Sequence, residues 1–279
     1  MTATATTATA TPIALRTEDL CKSWGGVFAN DRVSLSLPVG ARHALIGPNG
    51  AGKTTFVNLL TGLYPPSAGR VWLGDTDVTS LPMHQRVRRG LVRTFQINTL
   101  FAGLTVIESV VLAICERTGA ARIWYRPVAS CRDQIREAEA LLDRLRLGEA
   151  ANTLTRNLPY GKQRLLEIAL ALAMQPKILL LDEPASGIPA ADSAEVFEVI
   201  AALPGDVTVL FIEHDMDLVF RFAQRIAVLV DGRLLTEGTP AEIAADQRVR
   251  NVYLGEPTAH VTTGTPPSSS TPPAREGTP

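Results

Sequence analysis

Short apolar runs, separated by segments with helical periodicity, fill most of the chain. The runs at 177–183, 207–213 and 226–230 are almost wholly apolar, whereas the run at 33–37 alternates apolar and polar residues. Continuous apolar runs are typical of strands buried on both faces of a parallel sheet, and alternation is typical of a half-buried strand. Further strand patterns lie at 42–47, 71–74 and 91–96. We therefore expect an α/β fold with a mainly parallel sheet covered by helices on both faces.

Helical periodicity is clearest in the run 162–174. Its apolar residues fall at 165, 166, 168, 169 and 172, on one helical face, and Arg164 and Glu167 lie outside that stripe. The segment from about 98 to 160 is also mostly helical in pattern, in "TVIESVVLAI" and "DQIREAEALLDRLRL". Because strand patterns flank this segment, we expect a helical subdomain inserted between two strands of the sheet.

The two ends of the chain differ from the rest. Residues 1–12 are a Thr/Ala repeat ending in Pro, and residues 257–279 are rich in Thr, Ser, Pro and Gly. Segments of this kind bury too little apolar surface to offset their ordering entropy. We expect two disordered tails around one folded domain at 13–256.

The overall composition narrows the class of protein. The chain has 279 residues and a formal net charge of −1, which argues against nucleic acid as its main partner. Its cysteines, Cys21, Cys115 and Cys131, show no metal-ligand spacing and favour reduced thiols. No stretch reaches the ~18 apolar residues of a membrane span, and the N-terminus has no secretory pattern. We expect a cytoplasmic protein, and if it works at a membrane, another chain supplies the span.

A glycine-rich segment carries the clearest chemistry. The stretch "GPNGAGKTT" matches G-x-x-x-x-G-K-[ST] between a strand pattern and a helical one, the context of a phosphate-binding loop. Backbone N–H groups of such a loop wrap phosphates, and the following helix points its positive dipole end at them. Lys53 can reach the β- and γ-phosphates, and the Thr54 hydroxyl can bind Mg²⁺. The predicted loop residues are Gly47, Pro48, Asn49, Gly50, Ala51, Gly52, Lys53, Thr54 and Thr55.

Two adjacent carboxylates end the apolar run at 177–183. Asp182 is placed to hold Mg²⁺, and Glu183 is placed to orient and deprotonate an attacking water. One carboxylate for the metal and one for the water favour hydrolysis over binding alone.

The motifs follow one another in a fixed order: the phosphate loop, Gln96, Tyr160-Gly161, Asp182-Glu183 and His214. In this order they resemble the nucleotide-binding subunit of ABC transporters, over about residues 13–255. The stretches "RTFQ", "LPYGKQRLLEIALALA", "LDEPASGI", "IEHDMDLV" and "YLGE" are similar to the ATPase subunits of branched-chain (hydrophobic) amino acid importers. The resemblance implies a P-loop ABC ATPase domain, with a small antiparallel β-subdomain beside the parallel core.

The resemblance also implies roles for single residues. Trp24 would stack on adenine, Gln96 would touch Mg²⁺ and the attacking water, and His214 would contact the γ-phosphate. Gln96 would then share the metal with Thr54 and Asp182. The implied ligands are ATP and Mg²⁺, and the implied activity is ATP hydrolysis coupled to transport, with His214 and Gln96 acting beside the catalytic base.

The stretch "LPYGK" lies where the family has its Leu-Ser-Gly-Gly-Gln signature, which caps the γ-phosphate of ATP held by the opposite subunit. The resemblance implies that Pro159, Tyr160, Gly161 and Lys162 contact nucleotide across a head-to-tail dimer. Pro159 lacks the hydroxyl and N–H of the family serine, while Gly161 keeps an N–H and Lys162 adds a charge. The signature is therefore either competent or degenerate. Pro189 stands where the family has an Asp that couples the two sites, which puts their symmetry in question.

The partners implied by the resemblance are a second ABC ATPase subunit, with a heterodimer favoured, and integral membrane permease subunits at the inner face of the cell membrane. Exposed apolar residues such as Phe101 and Leu104 would suit the permease contact. The expected function is the motor of an importer for branched-chain or related hydrophobic amino acids. The same motor could serve urea, amides, aromatic acids or lipopolysaccharide export. Two alternatives of another class are a non-catalytic ATP-binding module and a soluble ABC protein acting on nucleic acid.

A basic cluster has two interpretations. The segment "RVRRGLVR" brings together Arg86, Arg88, Arg89 and Arg93. It either contacts an acidic partner or lipid headgroups, or it forms a solvated basic face.

Overall fold

The computed structural model describes residues 12–94, 100–119 and 131–254. Gln96 and, apart from Pro12, the two predicted tails lie outside these described residues. Their predictions therefore stay predictions.

The parallel sheet predicted from the apolar runs lies at the centre of the molecule. Its strands are β3 (Arg42–Ile46), β6 (Leu91–Arg93), β7 (Ile178–Asp182), β8 (Thr208–Ile212), β9 (Arg225–Val230) and β10 (Arg233–Gly238). Their order is β10-β9-β3-β8-β7-β6, with β10 antiparallel to β9 and the other pairs parallel. Leu179 and Leu181 pack in one hydrophobic cluster, while Leu180 between them packs in another on the opposite face. This two-sided burial explains the uninterrupted apolar runs.

A smaller antiparallel sheet confirms the β-subdomain that the resemblance implies. It has the order β2-β1-β4-β5 and consists of β1 (Ile13–Trp24), β2 (Val27–Pro38), β4 (Ala68–Leu73) and β5 (Thr76–Asp77). The apolar pattern did not predict β1, because bulges interrupt its pairing with β2 between Thr17 and Leu20 and between Leu20 and Lys22. Asp19 in the first bulge has a φ of 44°, which breaks the two-residue alternation.

The helices lie between and around the strands. They are α1 (Lys53–Thr61), α2 (Met83–Arg88), α3 (Val106–Thr118), α4 (Arg132–Arg144), α5 (Tyr160–Ala173), α6 (Ala190–Ala201), α7 (Met216–Phe222), α8 (Pro240–Ala245) and α9 (Gln247–Leu254), with 3₁₀ turns at Gly148–Ala150 and Thr155–Asn157. Within the described ranges, none of the helices is both long and apolar enough to cross a membrane.

The central helix α5 is more enclosed than its sequence pattern suggests. It contacts α3, α4 and α6, so its polar side is covered as well as its apolar stripe. Arg164 and Glu167, which lie outside that stripe, are largely buried and form an ion pair at 2.7 Å. Burial raises the pKa of Glu167, and the neighbouring guanidinium opposes that rise.

The two ends of the helical subdomain lie next to each other in the structure. Thr105, just before α3, forms an isolated antiparallel bridge with Leu154. The N–H of Thr155 donates to the carbonyl oxygen of Leu104 at 2.9 Å, and the N–H of Val106 donates to that of Thr153 at 3.1 Å. These hydrogen bonds join the entry to α3 with the segment that leads into α5.

Two members of the basic cluster, Arg86 and Arg93, are largely buried. Both interpretations of the cluster were therefore wrong for these two residues. Arg86 on α2 is 1% exposed, and its guanidinium donates to the carbonyl oxygens of Thr79, Leu81, Leu59 and Leu60. Two of these acceptors lie in the last turn of α1, so Arg86 caps that helix. Arg93 is also largely buried and pairs with Asp182. Neither guanidinium belongs to a solvated or partner-facing surface.

Candidate functional site

The phosphate loop, Asp182, Glu183 and His214 meet at the carboxyl ends of three adjacent parallel strands. The phosphate loop follows β3, Asp182 ends β7 with Glu183 directly after it, and His214 follows β8, which lies between β3 and β7. In open α/β sheets, ligands bind in the crevice outside the carboxyl ends of the strands. The fold therefore brings into one place residues that are far apart in the sequence.

The phosphate loop needs glycine at the start of α1. Gly52 is the N-cap residue and has a φ of 94°, in the left-handed region that glycine adopts at low cost. A Cβ at this position would lie 2.2 Å from the carbonyl oxygen of Ala29. The first turn of α1 contains Lys53, Thr54 and Thr55. No capping side chain accepts a hydrogen bond from the N–H groups of this turn. The loop has the form of an anion-binding helix start.

Lys53 lies inside this loop. Its Nζ donates to the carbonyl oxygens of Gly47 and Pro48, at 2.6 and 3.0 Å. Burial lowers the pKa of Lys53, and the charges of Glu183 and Asp182 act in the opposite direction. The lysine thus lies within electrostatic reach of both carboxylates.

Glu183 and His214 form the closest contact between two predicted catalytic residues. The Nε2 atom of His214 lies 2.6 Å from the Oε1 atom of Glu183. Glu183 has a φ of 48°, and its N–H donates to the carbonyl oxygen of Ile212 at 3.0 Å. A non-glycine residue with positive φ costs about 1–3 kcal/mol and is found preferentially at functional sites. The backbone is therefore held so that this carboxylate meets the histidine.

Glu213 supports this pair and was missed by the sequence reasoning. It is 4% exposed, and its carboxylate accepts hydrogen bonds from the N–H groups of Ala185, at 2.8 Å, and His214, at 3.2 Å. Burial raises its pKa, and these hydrogen bonds act against that rise. Glu213 joins the loop after β7 to the loop after β8. An acidic residue that ends an apolar run directly before His214 was the available signal.

The residues present suit a magnesium ion. Asp182 ends β7 with 4% exposure, and Thr54 offers a hydroxyl in the first turn of α1. Mg²⁺ prefers oxygen ligands and is usually bound by one or two carboxylates together with substrate phosphates and water. The described residues contain no group of three or more His, Cys, Asp or Glu side chains suited to a metal.

Arg93 is a second residue that the sequence reasoning missed at this site. Its Nη2 atom donates to Oδ2 of Asp182, and its Nη1 atom donates to Oδ1 of Asn58 at 2.6 Å. The Arg93 guanidinium therefore connects the predicted metal ligand to α1, the helix of the phosphate loop.

Tyr253 on α9 also reaches the phosphate loop. Partial burial raises the pKa of Tyr253 to about 12, and the Gly47 backbone acts against that rise. In the sequence, the motif "YLGE" indicated only the subfamily. It did not predict that Tyr253 lies near the phosphate loop.

Trp24 lies at the end of β1 in the smaller sheet. It is 48% exposed, and its ring makes a T-shaped contact with Tyr64 at a centroid distance of 5.6 Å. Lys22 Nζ lies 5.2 Å from the Trp24 ring centroid. The indole is thus both held in place and accessible, as a base-stacking residue must be.

Replacing Trp24 with Ala is expected to weaken ATP binding about 5- to 100-fold, because stacking of a base on an aromatic ring contributes about 1–3 kcal/mol. Equilibrium titration with a ribose-labelled ATP analogue measures the effect. Phe28→Ala is the matched control, since Phe28 is similarly exposed at 54%. Equal affinities for the two variants would exclude Trp24 from the adenine site.

The predicted signature residues lie at the start of α5. Pro159 is the N-cap residue, and the helix begins at Tyr160 with Gly161 in its first turn. Lys162 Nζ donates to Oε1 of Glu195 at 2.9 Å and to the carbonyl oxygen of Arg146 at 3.2 Å. In this conformation the charge of Lys162 is directed towards α6 and the end of α4.

Two cavities differ in their relation to the site. A cavity of about 270 Å³ is lined by Glu183, Ser186, Glu213 and His214, among others. A larger cavity, of about 1230 Å³, is lined by Gly90, Lys177 and other residues at the amino ends of the parallel strands. Because α/β sheets bind ligands at the opposite end, we place the site at the smaller cavity.

A phosphate loop beside an aspartate, a glutamate and a histidine on adjacent strand ends defines a P-loop nucleotide-binding domain. Residues 30–186 match the sequence model of the family described as "ABC transporter". The chain belongs to the ABC transporter family, as one of its ATP-binding cassettes. Residues 233–259 match a narrower family model, "Branched-chain amino acid ATP-binding cassette transporter".

Known proteins of this family resemble the chain over nearly their full length. The high-affinity branched-chain amino acid transport ATP-binding protein LivG of Salmonella typhimurium is 43% identical, over 87% of this chain and 98% of LivG. The crystal structure of the ADP conformation of MJ1267, an ATP-binding cassette of an ABC transporter, has a TM-score of 0.76 and 29% identity, over 88% of this chain and 99% of MJ1267. A dimeric, post-hydrolysis structure of the cassette MJ0796 with ADP and Pi has a TM-score of 0.67 and 26% identity, over 81% of this chain and 98% of MJ0796.

Proposed function

We propose that this chain is the ATP-hydrolysing motor subunit of an importer for branched-chain or related hydrophobic amino acids. The contact of 2.6 Å between His214 and Glu183, beside Asp182 and Lys53, carries the proposal for hydrolysis. The similarity to LivG and to the branched-chain family model at 233–259 supports the choice of cargo.

The phosphate loop would bind ATP through the N–H groups at the start of α1, and Lys53 would turn from Gly47 and Pro48 towards the β- and γ-phosphates. Trp24 would stack on the adenine. Asp182 and the Thr54 hydroxyl would hold Mg²⁺, which supplies positive charge to the phosphate oxygens during phosphoryl transfer.

Glu183 would orient the attacking water and take its proton. His214 lies within hydrogen-bond distance of the Glu183 carboxylate, so it can fix the direction of that carboxylate and then contact the γ-phosphate. Glu213 would hold the two loops together through its bonds to Ala185 and His214. This arrangement provides a base, a partner that orients it and a rigid support.

The exposed parts of the domain support the proposed partners. Tyr160, at the start of α5, is 39% exposed, and this supports contact between the signature and a second cassette, as in the dimeric MJ0796 structure. Phe101 is 59% exposed before α3, which supports docking of a permease subunit there. Since LivG is named as the ATP-binding protein of a transport system, we place this chain at the inner face of the membrane beside its permease.

Transport assays on the chain reconstituted with its permease subunits in proteoliposomes test this function. We expect uptake of leucine, isoleucine or valine that requires ATP on the side of the cassette and is lost with Lys53→Met. Uptake of urea or a short amide instead would support the proposed motor function but contradict the proposed amino acid cargo. Uptake that Lys53→Met leaves intact would overturn the motor itself.

Phosphate release by the purified chain alone tests the dimer. A specific activity that rises with protein concentration indicates a working homodimer, in which the Pro159 signature is competent. ATP binding without phosphate release supports a heterodimer, in which a second ATPase subunit supplies the opposing signature.

Replacing Pro159 with Ser is expected to strengthen ATP-dependent dimerisation about tenfold or more, because a hydrogen bond to a charged group contributes about 1.5–3 kcal/mol. Light scattering at increasing protein concentrations measures the dimer. Pro82→Ser is the matched control, because Pro82 is likewise the N-cap of a helix without a side-chain cap. An equal change in both variants would show that the added hydroxyl acts only as a helix cap.

A further inference from the structure

Arg93, the first residue of the stretch "RTFQ", contacts two parts of the proposed site, although the sequence analysis gave it no role there. Its side chain is 10% exposed, and that of Asp182 is 4% exposed, so this ion pair is shielded from water. The second arm of the guanidinium donates to Asn58, which lies one and a half turns into α1. One buried cation thus contacts both the proposed metal ligand and the helix of the phosphate loop.

The backbone fixes this geometry. Arg93 is the last residue of β6 and pairs with Leu180 in the parallel ladder with β7. The N–H of the next residue, Thr94, donates to the carbonyl oxygen of Leu180 at 3.0 Å. Arg93 therefore lies beside Leu180, two residues before Asp182. From there its side chain contacts both Asp182 on β7 and Asn58 on α1.

A buried carboxylate requires a compensating charge. In this structure Arg93 supplies that charge to Asp182. A magnesium ion bound by Asp182 would compensate the same carboxylate, and its positive charge would repel the guanidinium. The cation of Arg93 and the metal are thus alternatives at one carboxylate.

We propose that Arg93 is a positioning residue that holds Asp182 before metal binding and is displaced from it when Mg²⁺ enters with the nucleotide. The proposal rests on the proposed function, since it requires Asp182 to bind the metal. Asn58 keeps the displaced guanidinium beside α1. Arg93 thereby sets the Mg²⁺ concentration at which the site accepts nucleotide, and it prevents Asp182 from remaining buried and uncompensated.

Nucleotide-binding titrations separate this role from a merely structural one. A fluorescent ATP analogue is titrated into the wild type, Arg93→Met and the control Arg89→Met, first in EDTA and then over a range of Mg²⁺ concentrations. In Arg93→Met the Mg²⁺ concentration at half-maximal binding is expected to fall about tenfold, because no charged hydrogen bond must be broken. The affinity in EDTA is expected to stay within about twofold of the wild type, and Arg89→Met is expected to match the wild type throughout.

An unchanged or higher Mg²⁺ requirement in Arg93→Met would overturn the proposal. Absence of any nucleotide binding in the wild type would instead overturn the proposed function. If Arg93→Met is too unstable to purify, Arg93→Gln replaces it in the same titration with the same expected fall, since a glutamine keeps a hydrogen-bond donor for Asp182 but carries no charge.

Thermal unfolding in EDTA gives a second, independent measurement. Arg93→Met is expected to lower the Tm because Asp182 then stays buried without its cation. Adding Asp182→Asn in the same chain is expected to restore most of the loss. Additive effects of the two substitutions would show that Arg93 only packs, and would overturn the proposal.

Discussion

Replacing Glu183 with Gln is expected to lower steady-state ATP turnover about 100- to 1000-fold, because a positioned general base contributes about 10²- to 10⁴-fold to the rate. The Gln amide keeps the size of the side chain and can still bond to His214, but it cannot take a proton from water. ATP affinity should change less than about twofold, since the role proposed for Glu183 lies in the chemical step and not in binding.

Phosphate release and nucleotide binding, measured on the same preparations, check this expectation. Glu139→Gln on α4 is the matched control, because Glu139 is exposed and far from the strand ends that form the site. Turnover in Glu183→Gln above about a tenth of the wild-type rate would assign the base to another group. His214→Ala should also lower turnover, because the Glu183 carboxylate then loses the partner at 2.6 Å that orients it.

Replacing Arg86 with Met is expected to lower the free energy of unfolding by about 2–4 kcal/mol. The guanidinium donates to the carbonyl oxygens of Leu59 and Leu60 at 2.8 and 2.7 Å, and methionine leaves both buried acceptors without this donor. Burial lowers the pKa of Arg86 to about 10, so removal of the charge recovers part of the loss. Because α1 carries the phosphate loop at its other end, nucleotide binding should weaken in parallel.

Urea unfolding monitored by circular dichroism measures this change as a shift of the midpoint at constant slope. Arg88→Met is the control, since Arg88 lies on the same helix and is exposed. It should change the free energy of unfolding by less than about 0.5 kcal/mol. Equal stability of the two variants would mean that water or other donors satisfy the end of α1 without Arg86.

The sequence predicted best the features that are local. The apolar runs gave β3, β7, β8 and β9 almost to the residue, because both faces of these strands are buried. The apolar pattern did not predict β1, because the bulges in this strand interrupt the two-residue alternation. The predicted strand at 91–96 is shorter in the structure, because β6 ends at Arg93 and Thr94 lies outside it.

The site follows the same rule. The phosphate loop and the pair Asp182-Glu183 are contiguous motifs, and they were found from their spacing. Arg93 contacts Asn58 and Asp182 across 35 and 89 residues of sequence, so no local pattern could indicate either bond. Arg86 looked like a surface charge because its four acceptors are backbone carbonyls, which leave no signature in a sequence.

The hydrogen-bonded junction at Thr105 and Leu154 has a consequence for how the chain folds. Strands β6 and β7 are direct neighbours in the sheet, yet β6 ends at Arg93 and β7 begins at Ile178. The entropy lost in closing a loop grows with the logarithm of its length. Once the bridge between Thr105 and Leu154 has formed, only the segment before Thr105 and the segment after Leu154, which contains α5, remain to be closed. An insertion inside the subdomain would therefore add nothing to the cost of pairing β6 with β7.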